Sequence, residues 1–131
     1  MSQENVAVVR QLLDAFNRRD WAEWESHHHP EVEFRDPAEL PGGGVHRGIE
    51  EIRRFFSELV ENDWYVEIDD LESVGHDRVL MRGRSVFVGR VSGVPIEDAL
   101  FQLFVLGEGR VHRVQVFRSS TEALEAAGLR E

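Results

Sequence analysis

Apolar positions recur at helical spacing in the first half of the chain and alternate in the second. Val6, Val9, Leu12, Leu13 and Phe16 return every three to four residues, with Arg10, Asp14 and Arg18 between them. That spacing predicts a helix over about residues 4–18. Asn17-Arg18-Arg19-Asp20 closes it, and Asp20 is placed to cap a second helix. The second helix, about 21–29, carries Trp21 and Trp24 on one face and stops at Pro30. A third helix, about 49–62, follows Gly48. Its apolar stripe is Ile49, Ile52, Phe55, Phe56 and Leu59, with Glu50, Glu51, Arg53, Arg54 and Glu58 opposite.

Between the second and third helices the period is two. Within Glu31–Gly48, Val32 and Phe34 point one way and Glu31, Glu33 and Arg35 the other. Asp36 falls on the side of Val32 and Phe34, so a carboxylate ends an apolar row. Pro37 stops the strand, and Pro41-Gly42-Gly43-Gly44 makes a loop. Strand and loop are expected to form the lip of any pocket.

From Trp64 onward the alternation persists. Strands are expected at Tyr65–Ser73, Arg78–Val91, Ile96–Leu106 and Arg110–Phe117. Turns at Gly75-His76-Asp77, Ser92-Gly93-Val94-Pro95 and Gly107-Glu108-Gly109 separate them. Thr121–Leu129 reads as a short terminal helix. Helices followed by an antiparallel meander indicate an α+β fold, in one domain over 1–131. Leu100-Phe101-Gln102-Leu103-Phe104-Val105 is apolar on both faces. Helices of so small a domain cover one face, so a second copy is expected over part of the other, as a homodimer through the sheet face.

Composition narrows the function. The 131 residues suit a domain with a real core, and 41% hydrophobic with 31% charged residues is ordinary for a soluble protein. A formal charge of −10 argues against nucleic acid or an anionic membrane as partner. No apolar run approaches the ~20 residues that span a bilayer. The start, MSQENVAVVRQ, lacks the basic and apolar regions of a signal peptide. The absence of cysteine excludes disulfides and fits a cytoplasmic location.

Few residue patterns carry chemistry. Asp36 beside an apolar wall suits a general base, because desolvation raises a carboxyl pKa toward the working range. Alternatively, it starts the loop by accepting backbone N–H bonds. Arg82 and Arg84 share one face of the long strand. Facing inward they bind an anion or carbonyl and can pair with Asp36; facing outward they are solvated or lie at the dimer contact. Val79, Met81, Ser85 and Phe87 on the other face can equally line the interior. His46, in the loop before Gly48, is an acid or base across from Asp36, or a surface residue. His27, His28 and His29 read as a solvated helix end, since consecutive residues of a helix point apart. They do not have the spacing of a metal site. No P-loop, Rossmann glycine pattern or nucleophile elbow occurs, and no cofactor or metal is expected.

The order of elements resembles the nuclear transport factor 2-like (NTF2-like, cystatin-like) fold, in which N-terminal helices pack on a curved antiparallel sheet to form a cone. Ketosteroid isomerase, limonene epoxide hydrolase and the SnoaL-like polyketide cyclases share it. Three marks carry the resemblance: Ala15-Phe16-Asn17-Arg18-Arg19-Asp20; Val32-Glu33-Phe34-Arg35-Asp36-Pro37 followed by Arg47-Gly48; and Gly109-Arg110-Val111. The start, Met1-Ser2-Gln3-Glu4-Asn5-Val6, and the end, Glu122 to Leu129, are similar to an uncharacterised group of actinobacterial SnoaL-like proteins.

The resemblance implies roles for particular residues. Asp36 stands where ketosteroid isomerase has its general base. That enzyme's oxyanion donors fall on Leu12 and about Phe101, neither of which can donate a hydrogen bond. The last-strand Asp of the cyclases and the epoxide hydrolase falls on Val116. The hydrolase's Arg matches Arg82, while its Asp two residues on becomes Arg84. The expected catalytic set is Asp36, His46 and Arg82. The expected ligand-lining set is Leu12, Phe16, Phe34, Phe56, Trp64, Arg84, Phe101, Val114, Val116 and Arg118. The function so indicated is binding of a small apolar molecule, with cofactor-independent isomerase or cyclase chemistry on Asp36. The alternative is a non-catalytic ligand-binding or dimerisation module.

Overall fold

The computed structural model describes residues 2–37, 43–59, 63–88 and 93–129. In chain order its elements are α1 (Ser2–Arg18), α2 (Trp21–Ser26), β1 (His28–Asp36), β2 (Gly44–Arg47) and α3 (Ile49–Leu59). They continue as β3 (Trp64–Val74), β4 (Arg78–Val88), β5 (Pro95–Gly107), β6 (Arg110–Phe117) and α4 (Ser120–Ala127). Asn17, near the end of α1, ties that helix to the sheet as a strand would. Its Nδ2 donates to the Val66 carbonyl at 2.8 Å, and its Oδ1 accepts from the Val66 N–H at 2.9 Å. Arg19 then takes a left-handed backbone, and Asp20 accepts the Glu23 N–H at 3.1 Å to start α2.

The sheet has six strands in the order β2-β1-β6-β5-β4-β3. β3 to β6 form the expected antiparallel meander, with Val79 opposite Phe104 and Phe104 opposite Val114. The sheet as a whole is mixed rather than antiparallel, because β1 lies parallel to β6, with Phe34 beside Val114. The periodicity of a strand does not report its direction. The sheet is curved and does not close on itself.

One face of the sheet receives the helices. Val9, Leu12, Leu13 and Phe16 of α1 pack with Trp24, Ile52 and Phe56, and against Val32, Val66, Val79 and Phe104 of the sheet. The Phe16 ring meets Trp21, Phe56 and Trp64 edge-on at 5.8, 5.5 and 5.3 Å. The opposite face carries a second cluster. Leu80, Leu103 and Phe117 are covered there by Ala123 and Ala127 of α4, with Phe101 packed at the edge. The chain's own last helix therefore supplies part of the cover that apolar patterning assigned to a second copy. Ser119 caps α4 at its start, and Gly128, at φ 76°, ends it in the left-handed conformation.

Most elements shift by a residue or two at their ends, and two regions depart further from the sequence expectation. α2 ends at Ser26, and His28–Pro30 open β1 instead of finishing a helix. The residue before a proline avoids helical geometry, which makes His29 extended. Gly44–Arg47, expected as loop, forms the short edge strand β2, with Asp36 opposite Gly44 and Phe34 opposite His46. Pro41 and Gly42 of that loop, the expected end of the long strand at Val91, and positions 60–62 of the third helix lie outside the described residues. Arg110–Phe117 has the expected limits.

Candidate functional site

Alternation along β1 sends Val32, Phe34 and Asp36 to the helix-covered face; with His28, which lies across a register irregularity, they border a cavity of about 700 Å³ between sheet and helices. Its apolar wall includes Leu12, Phe16, Phe56 and Trp64, with Val114 and Val116 on β6. Arg118 and Asp98 stand at the border with Pro37. Trp64 donates its ring N–H to Ser85, another cavity residue.

Asp36 is partly buried, and loss of water pushes its carboxyl above its ordinary value, with the charge of His46 pulling it down less strongly. His46 sits on β2 opposite Phe34. Its ring stacks on Phe55 at 4.5 Å, and its Nδ1 lies 3.9 Å from Glu51. The structure thus brings His46 near Asp36 without placing it on the cavity wall.

Arg82, Arg84 and Phe101 do not reach the cavity. On β4 the odd positions face inward, as Ser85 and Phe87 do, which turns Arg82 and Arg84 outward. Arg82 bonds Asp70 at 2.7 Å and Glu72 at 3.0 Å. Arg84 lies 2.5 Å from Glu67, 3.4 Å from Asp69 and 3.5 Å from Glu97. Both arginines answer acidic groups of neighbouring strands, and neither is placed to polarise a carbonyl in the cavity. On β5 the even positions face inward, so Phe101 joins the α4 cluster while Gln102 enters the wall.

Two cavity residues, Gln102 and His28, lie outside the site set expected from the sequence. Gln102 is 8% exposed, and its Oε1 has no hydrogen-bond partner among the described residues. It pairs with Val116 on β6, and Arg35 pairs with Gln115. Asp36 and Gln102 therefore stand near one row, two strands or roughly 10 Å apart, with Val116 between them. The signal was present: Gln102 is the lone polar residue in an otherwise apolar run.

His28 is 6% exposed. Its Nδ1 lies 2.7 Å from the Trp24 carbonyl, and its ring rests 4.5 Å from the Trp24 ring. Burial pushes its pKa down to about 4; the Trp24 carbonyl works against this and the charge of His27 with it. The signal for His28 was the proline two residues later, which favours a strand over a solvated helix end.

The sign of this shift gives an acid sensitivity. Below the ordinary value of 6.5 the unfolded chain takes up a proton that folded His28 refuses. Stability is therefore full above pH 6.5 and falls as pH drops toward 4, by about 3 kcal/mol at most, at ~1.36 kcal/mol per pKa unit. His28→Phe is expected to flatten that part of the profile. Urea midpoints at pH 7 and pH 4.5 for both proteins check it, and parallel profiles would contradict the assignment.

Among the described residues no group of three or more His, Asp or Glu side chains is arranged to hold a metal ion. Among them, too, no helix is long and apolar enough to cross a membrane.

Residues 9–117 match the family model described as a SnoaL-like domain. No curated protein matches the chain. Solved structures with similar folds include an NTF2-like protein of unknown function from Burkholderia pseudomallei. It is 21% identical, with 95% of this chain and 97% of that chain covered, at a TM-score of 0.78. TerC, co-crystallised with polyporic acid, is 18% identical over 95% of this chain and 98% of its own, at 0.77. A putative polyketide cyclase from Xanthomonas campestris is 17% identical over 96% and 98%, at 0.74. At these identities the likeness is one of fold.

Proposed function

The chain belongs to the SnoaL-like domain family, and from that premise we propose that its cavity binds a small, largely apolar carbonyl compound on which Asp36 moves a proton. One observation carries this reading. A carboxyl with a raised pKa stands at the edge of an apolar cavity of about 700 Å³, within the size range of small-molecule sites. A base of this kind works best when its pKa lies near the operating pH.

The Asp36 carboxylate removes a proton from the carbon next to the carbonyl and becomes a carboxylic acid. The electron pair of the broken C–H bond forms the enolate, whose oxygen carries the charge. Gln102 donates an amide N–H to that oxygen from across Val116, in place of the donors that Leu12 and Phe101 cannot supply. Asp36 then returns the proton to the same carbon or to another carbon of the conjugated system. The remaining wall, rich in aromatic side chains, keeps bulk water from quenching the enolate. That one fold neighbour was co-crystallised with polyporic acid, and another is described as a putative polyketide cyclase, supports small-molecule binding by this fold.

The test uses 2-tetralone in D2O, followed by NMR. The folded protein is expected to speed deuterium uptake beside the carbonyl above a buffer control, and an excess of a non-exchanging apolar competitor is expected to suppress it. Uptake at the buffer rate with saturating protein would overturn the proton-transfer reading.

A further inference from the structure

His28 takes no part in the proton-transfer scheme, yet it is the most deeply buried titratable group on the cavity wall. It opens β1, eight residues before Asp36 and on the same face, so the two mark opposite ends of that wall. Two contacts fix its ring and a third its backbone. It rests on Trp24, its backbone pairs with Val111 of β6, and its Nδ1 meets the Trp24 carbonyl at 2.7 Å.

A carbonyl oxygen can only accept a hydrogen bond, so Nδ1 carries the ring hydrogen and the neutral ring holds its lone pair on Nε2. No described residue bonds to Nε2. Leu12, Leu13, Val32 and Phe104 line the same cavity and offer no side-chain donor. A fixed acceptor thus borders an apolar space with nothing among the described residues to satisfy it.

We infer that His28 is the recognition group for a hydroxyl: the cavity takes a largely apolar molecule whose alcohol or phenol O–H donates to Nε2 at the end of the cavity away from Asp36. An ether, carbonyl or carboxylate oxygen at that place meets a lone pair and is rejected. Resting on the ligand-binding reading, this narrows the ligand class to hydroxylated apolar carbonyl compounds, read by an acceptor at one end and by Gln102 and Asp36 at the other.

The experiment compares 2-naphthol with 2-methoxynaphthalene by isothermal titration calorimetry at pH 7. The two probes share a frame and differ in the O–H. Wild-type protein is expected to bind 2-naphthol at least tenfold more tightly. His28→Phe keeps a ring on Trp24 and removes the acceptor, so it is expected to bind both probes alike. His28→Gln brings an amide oxygen toward the place of Nε2 and is expected to keep a preference for 2-naphthol. Equal affinities in the wild type, or an undiminished preference in His28→Phe, would overturn the inference and leave the ligand-binding reading intact. Failure of the wild type to bind either probe would overturn both.

Discussion

Asp36→Asn is expected to lower the proton-exchange rate on 2-tetralone by a factor of 10²–10⁴, the usual contribution of a positioned general base, while making the folded protein more stable at neutral pH. The two effects have one cause. The Asp36 carboxyl is raised above 3.8 chiefly because folding strips water from it, and the His46 charge recovers only part of that loss. Between 3.8 and the raised value the folded state binds more protons than the unfolded chain. Stability therefore falls as pH rises through that window, and at pH 7 the folded protein bears the full penalty of the desolvated charge. Asn has nearly the same shape and no charge. Its gain in urea midpoint is expected at pH 7 and is expected to vanish below pH 3.8, where both residues are neutral. A variant that loses activity without gaining stability would place Asp36 in a well-solvated or well-paired setting and remove the reason for calling it a tuned base.

The second large effect is expected at Gly83→Ala. Gly83 lies on β4 opposite Ile68, where the β3–β4 register shifts by a residue. A Cβ built there would stand 2.1 Å from the Glu67 carbonyl oxygen and 3.0 Å from the Met81 sulfur. The first of these is backbone and cannot swing away. β3 must move off β4, and the ladder that carries Trp64 and Ser85 at one end of the cavity moves with it. A loss of at least about 3 kcal/mol is expected, a large part of the stability of a domain this size. Chemical denaturation measures it, and a change below about 1 kcal/mol would mean that the two strands tolerate separation.

Much of this fold was legible because its elements are amphipathic. The stripe from Val9 to Phe16 could be nothing but a helix face, and the alternation of Arg110–Phe117 fixed both ends of β6. The site was legible where one strand's alternation sufficed: Val32, Phe34 and Asp36 share a side in the sequence and in the structure. It was not legible where two strands had to be compared. Whether Arg82 or Ser85 faces inward depends on which face of β4 the helices cover, and alternation is the same either way. The same ambiguity hid Gln102 behind its neighbour Phe101. His28 was missed for another reason: a six-residue helix and a strand that begins with two histidines and a proline have no periodicity long enough to separate them. The direction of β1 was invisible because the hydrophobic pattern of a strand reads the same forwards and backwards.

That direction has a consequence for biogenesis. The strand bearing His28 and Asp36 is synthesised well before its hydrogen-bonding neighbour β6, with β2 to β5 made in between. Without β6, β1 has one unpaired edge, and Val32 and Phe34 face an incomplete wall. Pairings this distant in sequence are slow to close, and a bare edge is a template for strands from other chains. A nascent chain stalled before β6 is complete therefore offers the edge of β1 to strands of other chains.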